Sequence, residues 1–167
     1  MTAGIKPRRK VRYGLIALSA FIVFGLLAVI PAALMSTVVD TNTGRPQKTI
    51  ALVDDVKYVA ESVTREINKF LPTVTVAYFP RCEILRDEMK AGRRFNVYLV
   101  DKEIEGGMWG PACTLTIMHI DSTSIVVGYS TDSYARADFM EAGAKDFFLK
   151  GDSPSVLIGI LRAFLTP

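Results

Sequence analysis

The sequence predicts an α/β chain: a five-stranded parallel sheet, doubly wound as (βα)5, preceded by one transmembrane helix. Two observations carry this. From residue 49 onward, short apolar runs rich in β-branched residues alternate five times with stretches of helical spacing, the pattern of a parallel sheet covered on both faces. Ahead of them, "YGLIALSAFIVFGLLAVIPAALMSTVV" (residues 13–39) runs 27 residues without a charge, more than the ~20 that cross a bilayer core.

The chain opens on a basic tail, residues 1–12, in which Lys6, Arg8, Arg9, Lys10 and Arg12 have no acidic counterpart. The whole chain carries +3, so the five charges of the tail leave −2 for everything after it. The basic character therefore belongs to a membrane flank and offers nothing to nucleic acid. A secretory signal is the rival reading of residues 13–39, but its apolar core is usually only ~7–15 residues long, which favours an uncleaved anchor. Residues 40–48, "DTNTGRPQK", contain Gly44 and Pro46 and read as a linker. Residues 49–167 remain for one compact domain.

Within that domain the expected strands are "TIALVD" (49–54), "TVTVAYF" (73–79), "FNVYLVD" (95–101), "SIVVGYS" (124–130) and "KDFFLK" (145–150). Val56, Val59, Val63, Ile67 and Phe70 recur every three or four residues and line one face of the first helix. Leu85 and Met89 mark a second helix that stops at Ala91–Gly92, and a short third runs from Pro111 to His119. Ser133 to Ala142 forms a fourth, ended by Gly143. The fifth opens on Ser153 as N-cap with Pro154 at its first position. Cys82 and Cys113 stand alone, without CxxC spacing, and read as two small buried apolar residues; His119, the sole histidine, reads as a surface residue.

Ligands of a doubly wound sheet collect beyond the carboxyl ends of its strands. Asp54 and Asp55 end the first strand, Asp101 the third, Ser130 and Thr131 the fourth, and Lys150 the fifth. In a flavodoxin-like order of 2-1-3-4-5, strands one and three are central neighbours, so three carboxylates converge with a hydroxyl and an ammonium beside them. Three acids packed together repel unless a cation lies between them, and oxygen ligands that keep several waters suit Mg²⁺. Asp101 could then act as nucleophile toward phosphorus, with Lys150 and the Ser130 hydroxyl stabilising the transferring oxygens. A flavin site fits less well, because "VDDVKYV" in the first loop would repel a phosphate.

"ALVDD", "VYLVD", "SIVVGYST" and "EAGAKDFFLK" resemble the receiver domains of two-component response regulators, over about residues 48 to 166. The resemblance implies phosphorylation of Asp101 by a histidine kinase or phosphotransfer protein, with Mg²⁺ held by Asp54, Asp55, Asp101 and the backbone carbonyl of Glu103. It also implies Lys150 as the family's lysine and Phe147 as the aromatic switch. Transfer would at most be self-catalysed, followed by autodephosphorylation. The family's proline after the lysine is replaced here by Gly151, the proline four residues after the phosphoacceptor by Glu105, and the stretch from the fourth strand to Gly143 is about two residues short. The hydroxyl position falls on Ser130 with Thr131 as alternative, while a gapless alignment would place Gly128 there. Met108 and Trp109 cap the site, dock a partner, or simply pack.

Two functions follow. One is a stand-alone receiver at the bacterial inner membrane, with no output domain after Pro167, signalling by protein contact. The other is a non-phosphorylated pseudo-receiver, tethered as an interaction module. The basic flank predicts an inside N-terminus and hence an outside domain for a single pass. A kinase-fed receiver has to face the cytoplasm, and that exposure is the expectation on functional grounds.

Overall fold

The structure is a computed structural model and describes residues 47–166. Its elements are β1 (Lys48–Val53), α1 (Lys57–Phe70), β2 (Val74–Phe79), α2 (Cys82–Lys90) and β3 (Val97–Asp101). These are followed by α3 (Gly110–Ile120), β4 (Val126–Ser130), α4 (Ala135–Glu141), β5 (Asp146–Leu149) and α5 (Pro154–Leu165). The five strands form one parallel sheet in the order β2-β1-β3-β4-β5. The basic tail, the transmembrane run and nearly all of the linker lie outside the described residues. Among the described residues, no helix is long and apolar enough to cross a membrane.

The period of two along each strand divides the core between the two faces. Ala51 and Val53 of β1 and Tyr98 and Val100 of β3 pack with Leu85, Ile117 and Phe139 under α2, α3 and α4. Ile50, Leu52, Val97 and Leu99 face the other way, onto Ile67 of α1 and Leu157 and Leu161 of α5. Because β1 and β3 are buried on both sides, their sequences are continuous apolar runs that end only where the strands reach the site. On α1 the expected apolar stripe is corrected at one end: Ala60 and Ile67 are buried, while Phe70 lies 43% exposed beyond the sheet. Ser153 caps α5 as expected, its hydroxyl accepting from the Ser155 N–H, with Pro154 next.

Two glycines are required by close approach. A Cβ on Gly110 would collide with the Asp101 carbonyl, so α3 can begin directly against the end of β3. A Cβ on Gly128, in mid-β4, would stand 2.5 Å from the Phe139 ring and 2.8 Å from that of Phe147.

The expectation for the cysteines holds for their burial and is corrected for their isolation. Cys82 at the start of α2 and Cys113 in α3 are both fully buried, but they form a disulfide with Cα atoms 5.8 Å apart. No cysteine among the described residues is free. The two residues meet because α2 and α3 lie side by side on one face of the sheet.

Candidate metal centre

Parallel register sets the site. Val53 of β1 pairs with Val100 of β3, so Asp54 and Asp101 leave adjacent strand ends together. Asp54 is fully buried; its Oδ1 accepts from the Val56 N–H at 2.8 Å, which turns the chain into α1. Asp55 reaches over the loop after β3, where its Oδ2 accepts from the Glu105 N–H at 2.9 Å. Asp101 is buried, with Oδ1 accepting from the Lys102 N–H at 2.7 Å. One oxygen from each of the three acids lies within 4.8 Å of the other two.

Lys150, one residue beyond β5, places its ammonium between two of them, 3.2 Å from Asp54 Oδ2 and 2.8 Å from Asp101 Oδ2. The ring of Tyr129 lies beneath that ammonium at 4.0 Å, a cation–π contact that holds the lysine from the sheet side. One ammonium against three carboxylates leaves a surplus of two negative charges in a poorly solvated place. This environment acts on Asp101. Burial raises its carboxyl above the ordinary range and the charge of Asp54 adds to this, against the pull of Lys150 and of the Lys102 N–H. The Tyr129 phenol is likewise pushed up by burial and by the charges of Asp54 and Asp101.

The donor set fits a hard divalent cation. All donors are oxygens, the charge surplus matches, and the 4.8 Å spread is close to the about 4.2 Å separating opposite ligands of Mg²⁺. Asp55 and Asp101 border an open cleft of about 570 Å³, lined also by Glu103, Glu105 and Trp109. Glu103 turns its side chain out to solvent, 84% exposed. Trp109 is 46% exposed beside the cleft, whereas Met108 packs partly against the core.

Ser130 is the last residue of β4 and is buried, while Thr131 beyond it is exposed. The Ser130 Oγ accepts from the Asp132 N–H at 3.1 Å. Gly128 pairs with Val100 and Phe147, and the place of its missing side chain is filled by the rings of Phe139 and Phe147. A hydroxyl at 128 would therefore sit among aromatic rings. Phe147 is buried, its ring against Phe139 and its carbonyl accepting from Arg136 Nη2. Gly151 is exposed, with open space where a side chain would be. Sequence reasoning missed two features here: the Cys82–Cys113 disulfide, and an ion pair between Lys102 and Asp132 at 2.6 Å.

Solved structures with this fold are numerous. A response regulator/sensory box/GGDEF three-domain protein from Carboxydothermus hydrogenoformans has an N-terminal domain that is 25% identical with a TM-score of 0.63, over 71% of this chain and 94% of that one. The fold is the receiver fold. The receiver domain of NtrX from Brucella abortus superposes with a TM-score of 0.63 at 18% identity, over 70% of this chain and 97% of its own. The Vibrio cholerae chemotaxis protein CheY4 gives 0.62 at 15% identity, over 71% and 99%. No protein-family model and no curated protein sequence matches this chain.

Proposed function

We propose that this chain is a membrane-anchored receiver that binds Mg²⁺ through Asp54, Asp55, Asp101 and the Glu103 carbonyl, accepts a phosphoryl group on Asp101, and signals by protein contact. The observation that carries this reading is the trio of carboxylates converging on the receiver fold with Lys150 bridging two of them. An Asp101 carboxylate oxygen attacks phosphorus in line, and the leaving group departs with its electron pair: the imidazole of a histidine kinase or phosphotransfer protein, or the carboxylate of an acyl phosphate. Bound Mg²⁺ would neutralise the transferring oxygens. Lys150 stays beside the acceptor as fixed positive charge, and Ser130 offers its proton to a phosphoryl oxygen. The product adds ~1.5–2 negative charges at the end of β3, to which Ser130 and the Phe147 side chain respond. In this reading the domain faces the cytoplasm, where kinases and ATP are found.

Mg²⁺ binding is testable without a partner. Because only the folded site binds, saturating Mg²⁺ at 100 times its dissociation constant is expected to add about 2.7 kcal/mol of stability. Thermal melts of the purified chain with Mg²⁺ and with EDTA measure it, and Asp55→Asn removes most of the shift. No shift in the wild type would sink the metal site.

A second reading has a specific observation behind it. Disulfides persist in oxidising compartments, and the Cys82–Cys113 bond agrees with the basic flank in favouring a domain outside the cytoplasm. There the same fold would serve as an interaction module without phosphotransfer, and Gly151 in place of proline would carry no penalty.

A further inference from the structure

Between the acceptor and the hydroxyl lies a residue to which no role has yet been given, Lys102. Its peptide N–H donates to Asp101 Oδ1 at 2.7 Å, and its carbonyl accepts from Gly110 at the start of α3 at 2.8 Å. Its side chain, only 17% exposed, runs across the strand ends to the loop between β4 and α4. There the ammonium meets Asp132 Oδ2 at 2.6 Å. The competing acid, Glu103, is 4.0 Å away and 84% exposed, so Asp132 holds the lysine. Asp132 is itself fixed twice: its Oδ1 accepts from the Tyr134 N–H at 2.9 Å, and its own N–H donates to Ser130 Oγ at 3.1 Å.

A continuous chain of bonds thus runs from the Asp101 carboxylate through Lys102 and Asp132 to the Ser130 hydroxyl. Exposed ion pairs usually contribute little, but this one is short, mostly shielded on the lysine side, and closes a ring between two strand ends. Its direction at the serine matters too. Ser130 Oγ is engaged as an acceptor by Asp132, so its proton remains available to donate.

We propose that Lys102 and Asp132 are positioning residues for phosphoryl transfer: their ion pair holds the loop after β4 against the end of β3, with the Ser130 hydroxyl turned to donate to the incoming group. This rests on the phosphoacceptor reading and adds to it a pair that acts only through Ser130. The register supports such coupling, since Asp101 pairs with Tyr129, the residue before Ser130.

The test is a double-mutant cycle on the full-length chain, purified in detergent, following the initial rate of phosphoryl adduct formation from acetyl phosphate with Mg²⁺ by intact mass. Lys102→Met and Asp132→Asn are each expected to slow the rate about tenfold, the equivalent of one hydrogen bond, with Lys102→Arg largely restoring it. In a Ser130→Ala background, Lys102→Met is expected to cost nothing further. A second readout needs no phosphate: Lys102→Met should speed hydrogen exchange of the Asp132 and Tyr134 amides severalfold. An additive loss in the Ser130→Ala background, or unchanged exchange at those two amides, overturns the positioning role. A wild-type chain that forms no adduct while its amides respond to Lys102→Met overturns the phosphoacceptor reading instead, and with it the pair's use in transfer.

Discussion

Breaking the Cys82–Cys113 bond is expected to lower the stability of the domain by about 3.7 kcal/mol, from the chain entropy released when a 31-residue separation is opened. The enclosed segment contains most of α2, all of β3 and the loop that carries Asp101 to α3. The loss arises in the unfolded chain and so lowers the stability of the whole domain, the Asp101 segment included. Urea unfolding of the oxidised chain, the reduced chain and the Cys82→Ala/Cys113→Ala variant measures it. The reduced chain and the variant should unfold at nearly the same lower midpoint, and reductant should leave the variant unchanged. If reduction leaves the wild-type midpoint where it was, the bond is absent from the native protein. Alkylation of the same cysteines in intact cells then separates the two functional readings. Blocked thiols favour the exterior module, and free thiols favour the cytoplasmic receiver.

The second large effect is expected at Lys150. It is the one cation in contact with the buried Asp54 and Asp101 among the described residues. Removing one partner of a buried ion pair leaves uncompensated charge and costs about 3–5 kcal/mol. Lys150→Met should show this in the absence of Mg²⁺ at neutral pH, and Mg²⁺ should recover more of it than it adds to the wild type. The pH dependence has a definite sign. Asp101 already titrates above its ordinary range because of burial and Asp54, and loss of Lys150 removes the main opposing influence. A carboxyl raised in the folded state makes the native protein bind the extra proton. Its penalty is then absent below the unfolded value of about 3.9 and grows as pH rises through the folded value. The variant should therefore approach the wild type at acid pH and fall furthest below it near pH 8, as urea midpoints across pH would show. Loss of the fixed charge should also slow phosphoryl transfer by about 10²–10³.

β1, β3 and β4 could be read from the sequence because they are buried on both faces and so appear as nearly unbroken apolar runs. Asp54, Asp101 and Lys150 could be read for the same reason: each is the first charge at which such a run stops. Ser130 is ambiguous in the sequence, since the short stretch between the fourth strand and Gly143 leaves its alignment open. In the structure Phe139 and Phe147 pack into the gap at Gly128, which leaves no room for a side chain there. The start of α4 at Ala135 was also missed by two residues, because Asp132 accepts from the Tyr134 N–H and turns Ser133 and Tyr134 into a loop ahead of the helix. The disulfide and the Lys102–Asp132 pair left no trace in local spacing. Each joins residues about thirty positions apart that meet only because of lateral order, α2 beside α3 and β3 beside β4. A pattern read along one strand or helix carries no information of that kind.

The most direct measurement of the central proposal is the intact mass of the purified chain after incubation with acetyl phosphate and Mg²⁺, compared with Asp101→Asn. A labile adduct of one phosphoryl group, lost in the variant and lost when EDTA replaces Mg²⁺, is the expected result. A folded wild-type chain that binds Mg²⁺ and gains no adduct, or one whose adduct survives Asp101→Asn, would contradict it.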